Sequence, residues 1–160
     1  RGSPPTPWAT NSEPADVAMA VAMKPAGPTR ADSRLIRIRT LTDAGVPLAF
    51  GSDFPVEQVN PLISFHAAFS RQDAHNWPPN GWYPEQKMTR EEALRSITLW
   101  PAYAAFQERI MGSLTPGKLA DFVVLDQDIM RVAPEQVLRT QVVATYVGGK
   151  PVYERKPVVP

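Results

Sequence analysis

A single carboxylate, Asp53, stands where an α/β chain gathers its chemistry. It follows the apolar run Val46-Pro47-Leu48-Ala49-Phe50, which stops at Gly51. A run this short and apolar suits a strand over residues 46–50 buried on both faces, as in a parallel sheet. Phe54-Pro55 comes next, and the proline pushes Phe54 toward extended backbone. Asp53 therefore occupies a stiff corner just past the strand's carboxyl end, the edge where ligands and catalytic groups collect. The simpler alternative is a turn residue bonding its own backbone, as Asp after Gly-Ser commonly does.

The remaining chemistry-bearing residues are few. The sequence has no cysteine, which excludes disulfide scaffolds, thiolate zinc sites and cysteine nucleophiles. Of its two histidines, His66 falls on an apolar helical stripe and reads as a hydrogen-bonded core residue rather than a metal ligand. His75 has no partner at metal-binding spacing, so the pair gives no zinc signature. His75-Asn-Trp-Pro-Pro-Asn-Gly-Trp-Tyr-Pro84 is a stiff aromatic loop. Its Trp77, Trp82 and Tyr83 either cover a pocket or pack on the domain's own surface.

Helices and turns must hold Asp53 in place. Leu35, Ile38, Leu41 and Thr42 recur at helical spacing, with Arg34, Arg37 and Arg39 facing elsewhere. Gly45 supplies a left-handed stop, so a helix hands over directly to the strand. That is half of a βαβ unit, and it implies an earlier parallel strand. The apolar patch 17–23 reads as either a short strand or a helical turn. After Asp53, Asn60-Pro61 starts a helix whose face is Leu62, Phe65, His66 and Phe69, ending near Asp73. Thr89-Arg-Glu-Glu92 is a capping box ahead of Ala93, Leu94 and Ile97. Pro101 predicts a separate short helix over 102–108, with Glu91, Arg95 and Glu108 as solvated surface. Pro116-Gly117 marks a type II turn before a buried strand, Phe122–Leu125. Val137 and Leu138 fall on a brief helical turn, and 142–147 alternates weakly. Gly148-Gly149 makes a hairpin into a last strand, which Pro151 confines to an edge. The tail 155–160 reads as loose.

Composition sets the outer bounds. The 160 residues suffice for one domain but fall short of the roughly 250 of a closed (β/α)8 barrel. The chain opens on Arg1, which leads us to expect that an upstream part, including the true N-terminus, is missing. A net charge of +1 without a basic block gives no electrostatic case for nucleic acid or an anionic membrane. No apolar run approaches a membrane span, no signal-peptide core precedes residue 11, and a cytoplasmic setting is expected. Prolines number 18 and fall mostly between periodic segments, as loop punctuation. Pro25-Ala-Gly-Pro28 matches a PxxP ligand pattern, a common chance match.

Several motifs in order carry a resemblance. Gly45-Val-Pro-Leu-Ala-Phe-Gly-Ser-Asp-Phe-Pro-Val-Glu, Gly81-Trp-Tyr-Pro-Glu-Gln and Thr89-Arg-Glu-Glu-Ala-Leu are followed by Gly112-Ser-Leu-Thr-Pro-Gly-Lys-Leu-Ala-Asp and Val147-Gly-Gly-Lys-Pro-Val-Tyr. Over residues 31–154 the chain resembles the C-terminal portion of a family 3 amidohydrolase, within the metal-dependent amidohydrolase superfamily. The resemblance implies an α/β fold: the C-terminal part of a distorted (β/α)8 barrel plus strands of the small β-sandwich typical of these enzymes. It divides the chain into an irregular Pro-rich segment 1–28, the last barrel strand and helices 29–111, and sandwich strands with a tail 112–160. It implies hydrolysis of non-peptide C–N bonds in a small amide-type substrate. In that scheme Asp53 is both the catalytic acid/base and a metal ligand. The cofactor implied is a divalent metal, zinc, in the complete enzyme, with none held by this piece alone. The family's His-x-His and its other ligands are absent, and residues 1–28 fit its pattern poorly. The expectation is a fragment inactive in isolation. The alternative is a non-catalytic interaction or assembly module that self-associates through exposed barrel edges.

Overall fold

The computed structural model describes residues 18–21 and 37–156. Leu35, the PxxP stretch and the last four residues lie outside them. Strand β1 (Ala18–Val21) runs parallel to β2 (Leu48–Gly51), with Ala18 beside Leu48 and Val21 beside Gly51. Parallel neighbours need a crossover, and helix α1 (Ile38–Asp43) lies in it. The earlier strand implied by the helix-to-strand handover is thus present, and residues 18–21 supply it.

Strand β2 begins two residues later than the sequence predicts, for a local reason. Gly45, at φ +79°, closes α1. Its N–H donates to the Thr42 carbonyl at 2.9 Å, and the Val46 N–H donates to Leu41 at 3.0 Å. This is a Schellman close. It uses the Val46 donor, and Pro47 has none to give, so ladder pairing starts at Leu48. Leu48 is wholly buried, Ala49 is buried, and Gly51 reaches the surface.

Helix α2 (Pro61–Ser70) starts as predicted, with the Asn60 side chain accepting the Leu62 N–H at 3.0 Å. Leu62, Phe65, His66 and Phe69 are all buried. It ends at Ser70 rather than near Asp73, because Arg71 turns left-handed at φ +59° and its N–H closes on Ala67. Helix α3 (Arg90–Ser96) carries the full capping box: Thr89 Oγ1 accepts the Glu92 N–H at 3.2 Å, and Glu92 Oε2 accepts the Thr89 N–H at 2.7 Å. The next helix, α4, spans Leu99–Ala104, not 102–108. Pro101 sits inside its first turn, where the missing N–H would have had no helical partner; the break falls at Ile97-Thr98. Glu108 is half-buried rather than solvated, with Oε2 shielded from water.

Strands β3 (Phe122–Leu125), β4 (Val142–Val147) and β5 (Lys150–Glu154) form an antiparallel sheet in the order β3-β4-β5. Pro151 therefore lies on an edge strand as predicted. β3, expected to be buried, leaves Val123 and Val124 exposed, because it is the opposite edge strand with only β4 beside it. Phe122 stacks on Tyr146 at 4.6 Å. Residue Arg155, expected in a loose tail, is anchored: its N–H donates to Val143 at 2.8 Å and its guanidinium reaches Asp126 at 3.1 Å.

The core joins β2 to helices from both halves of the chain. Leu48, Leu62, Phe65, Phe69, Met88 and Ala93 pack with Ile129 and with Val137 of α5 (Pro134–Val137). Leu94, Ile97 and Leu125 lean on the same cluster. Arg90 pins it from above, its guanidinium 4.4 Å over the Phe69 ring and bonded to the carbonyls of Ile129 and Val132. The parallel sheet has two strands, so no closed barrel exists among the described residues.

Candidate active site

Asp53 lies just past the carboxyl end of β2, as the sequence predicts. It is exposed and holds a left-handed backbone at φ +49°. For a non-glycine residue that conformation costs about 1–2 kcal/mol. The main chain holds the turn: Val56 N–H donates to the Asp53 carbonyl at 2.8 Å, and Glu57 N–H to Ser52 at 3.2 Å. The Asp53 carboxylate has no hydrogen-bond or ion-pair partner among the described residues. A turn that used the side chain for its own backbone would have tied it down, and this one does not. Phe54, Val56 and Val59 flank it, 67%, 70% and 72% exposed.

Neither histidine comes to this turn. His66 is 1% exposed in the core, with Nδ1 3.4 Å from Ser70 Oγ. His75 is exposed and lies 3.9 Å from Asp73. Among the described residues no group of three or more His, Asp or Glu could hold a metal ion. A catalytic zinc takes about three protein ligands, and Asp53 offers one donor. The described residues therefore do not make a metal site on their own.

The aromatic loop is built against α2. Trp82 meets Tyr83 edge-on at 4.6 Å, and Arg71 lies 5.2 Å over the Trp82 ring while its Nε donates to the Trp82 carbonyl at 3.1 Å. Helix α2, ten residues and so about 15 Å long, separates this loop from the Asp53 turn along the chain. Of the two sequence readings, packing on the protein's own surface describes Trp82. Trp77 stands exposed.

One contact between helices escaped the sequence. Arg39, at the start of α1, grips Glu92 of the α3 capping box through Nη1–Oε2 at 2.8 Å and Nη2–Oε1 at 2.6 Å. The capping box was legible; its partner in another helix had no sequence signal.

An α/β chain that offers an unengaged acid at the carboxyl end of a parallel strand falls in the class whose sites are built on that edge. The amidohydrolase family pattern matches residues 7–153. The chain belongs to the amidohydrolase family, of the family 3 type. It is 39% identical over 130 residues to the protein LONG AFTER FAR-RED 3 of Arabidopsis thaliana, covering 81% of this chain and 22% of that one. It is 34% identical over 122 residues to an N-substituted formamide deformylase of Arthrobacter pascens, covering 76% and 22%. An amidohydrolase crystal structure from Thermotoga maritima MSB8 superposes with a TM-score of 0.52 at 28% identity, covering 74% of this chain and 26% of that one. The chain thus spans about a fifth of the length of the curated relatives it matches. No helix among the described residues is long and apolar enough to cross a membrane.

Proposed function

We propose that this chain is the closing portion of an enzyme that hydrolyses C–N bonds in small, non-peptide amides, with Asp53 as its proton-transfer group. The carboxylate takes a proton from the attacking water as the C–O bond forms. It delivers that proton to nitrogen as the C–N bond breaks, so the products are an acid and an amine. The observation that supports this most is the Asp53 turn: a left-handed residue, held by main-chain bonds alone, with its carboxylate free at the end of a parallel strand. The name of the Arthrobacter relative makes N-substituted formamides the first substrates to try. By this reading 29–111, with β1 from the segment 1–28 paired onto β2, belongs to a (β/α)8 barrel, and 112–160 to a β-sandwich.

The family is generally metal-dependent, and the described residues lack a ligand set. The isolated 160 residues should therefore bind no stoichiometric metal and hydrolyse nothing. Purified chain, dialysed against zinc and then into chelated buffer, tests this by elemental analysis and by amine release from a panel of N-substituted formamides. The expected result is well under one equivalent of zinc and no release above buffer. One tightly held zinc per chain with turnover would overturn it.

A second reading, a non-catalytic assembly module, is supported by apolar residues left open on two surfaces. Phe54, Val56 and Val59 mark one; Val124, on edge strand β3, marks the other. Sedimentation of the isolated chain discriminates: a concentration-independent monomer argues against the module, and a defined oligomer supports it.

A further inference from the structure

The turn that carries Asp53 keeps its apolar side chains out of the core. The strand before it contributes Leu48 and Phe50 to the hydrophobic cluster, and the helix after it contributes Leu62, Phe65 and Phe69. Between them Phe54, Val56 and Val59 are exposed over most of their surface, and Pro55 is exposed as well. The turn does not need these side chains to close. Main-chain bonds do that, from the Val56 N–H to the Asp53 carbonyl and from the Glu57 N–H to the Ser52 carbonyl. Apolar residues gathered within six positions, and used by neither the core nor the turn, mark a surface that meets something apolar.

The proposed chemistry identifies what it meets. When the Asp53 carboxylate passes its proton to the leaving nitrogen, the two stand at hydrogen-bond distance, about 2.6–3.2 Å. That nitrogen has two kinds of neighbour. Its carbonyl carbon is taken by the attacking water, while its substituent has no part in the bond changes. Phe54 Cα lies about 3.8 Å from Asp53 Cα, across one peptide. A substituent a few carbons long, held by its nitrogen at the carboxylate, therefore comes within reach of Phe54 and Val56.

We infer that Phe54 and Val56 form the wall that receives the nitrogen substituent, so that the enzyme prefers amides whose amine side is a short apolar chain. This rests on Asp53 as the proton-transfer group. The two residues determine specificity: they touch the part of the substrate that leaves as the amine, and the proton stays with Asp53. Glu57 lies in the same turn, half-buried, and makes a cationic chain the competing occupant.

Steady-state kinetics of the product of the complete reading frame, on N-methyl-, N-butyl- and N-(3-aminopropyl)formamide, test the wall. kcat/KM for the butyl compound should exceed that for the methyl compound by about tenfold or more, the effect of three partly buried methylenes. The aminopropyl chain matches butyl in length but ends in a cation, and should gain nothing over methyl. In the double variant Phe54→Ala, Val56→Ala the butyl-to-methyl ratio should fall toward one. Asp53→Asn should slow both substrates and leave their ratio as in wild type. An active enzyme with a ratio near one, a ratio that survives the double variant, or a preference for the aminopropyl compound overturns the wall and leaves the proposed reaction standing. No turnover of any of the three, or undiminished turnover in Asp53→Asn, removes the proposed reaction and the wall with it. Should the double variant fail to fold, Val56→Thr, alike in shape and more polar, takes its place: a lowered ratio supports the wall, and an unchanged one refutes it.

Discussion

The guanidinium of Arg39 meets the Glu92 carboxylate along two near-parallel hydrogen bonds of 2.8 and 2.6 Å. Glu92 Oε2 also accepts the Thr89 N–H at 2.7 Å and the Thr89 hydroxyl at 2.9 Å. One carboxylate thus ties the helix that feeds β2 to the start of α3. The Arg39 hydrogen bond, with those from Thr89, pulls the Glu92 carboxyl down to about 2 against the opposing effect of burial. A depressed carboxyl contributes stability that is present above pH about 4.5 and is lost as pH falls toward 2.

The first prediction follows from that sign. Arg39→Met should lower stability at pH 7 by on the order of 1–3 kcal/mol, screening at this partly exposed pair included. The gap between Arg39→Met and wild type should narrow at pH 3. Urea midpoints at the two pH values check it; a gap that stays constant would show that Arg39 acts through packing alone.

A second prediction concerns the seat of β2. Leu48 is wholly buried against Leu62, Phe65 and Ala93. Leu48→Ala should cost roughly 2–5 kcal/mol by transfer and cavity terms. Leu41→Ala, at an exposed position of α1, should cost well under half as much. Chemical denaturation of both variants makes the comparison.

Two glycines separate strain from collision. A Cβ on Gly45 would meet nothing within 4 Å, so Gly45→Ala should cost only its left-handed backbone, about 1–2 kcal/mol. A Cβ on Gly81 would come within 2.3 Å of the Ser70 carbonyl oxygen and 3.0 Å of Arg71 Cβ. Gly81→Ala should therefore displace the aromatic loop as well. Thermal melts rank the two, and Trp fluorescence reports the displacement.

How much of this was written in the chain depends on range. Caps and turns rest on neighbours in sequence, so the Thr89 box, the Asn60 cap, the Gly45 close and the Pro116-Gly117 turn were legible. Boundaries went astray where one donor was claimed twice: Val46 closes α1, so β2 starts late. Pro101 misled because its missing N–H matters only beyond the first helical turn. Arg39 with Glu92, Arg90 over Phe69 and Arg155 with Asp126 join residues far apart, and no local pattern announces them. The position of Asp53 at its strand end was legible. Its left-handed turn was not, because proline chemistry at Pro55 speaks to Phe54 and not to the residue before it.

The central claim is that Asp53 moves the hydrolytic proton. The most direct measurement compares wild type with Asp53→Asn in the product of the complete reading frame containing this sequence, assayed for amine release from N-substituted formamides. In the 160-residue chain the two forms should melt alike, since no described residue bonds the Asp53 carboxylate. The variant should lose about 10²–10⁴-fold in kcat, the contribution of a positioned acid/base. An Asp53→Asn enzyme that turned over at the wild-type rate would contradict the account.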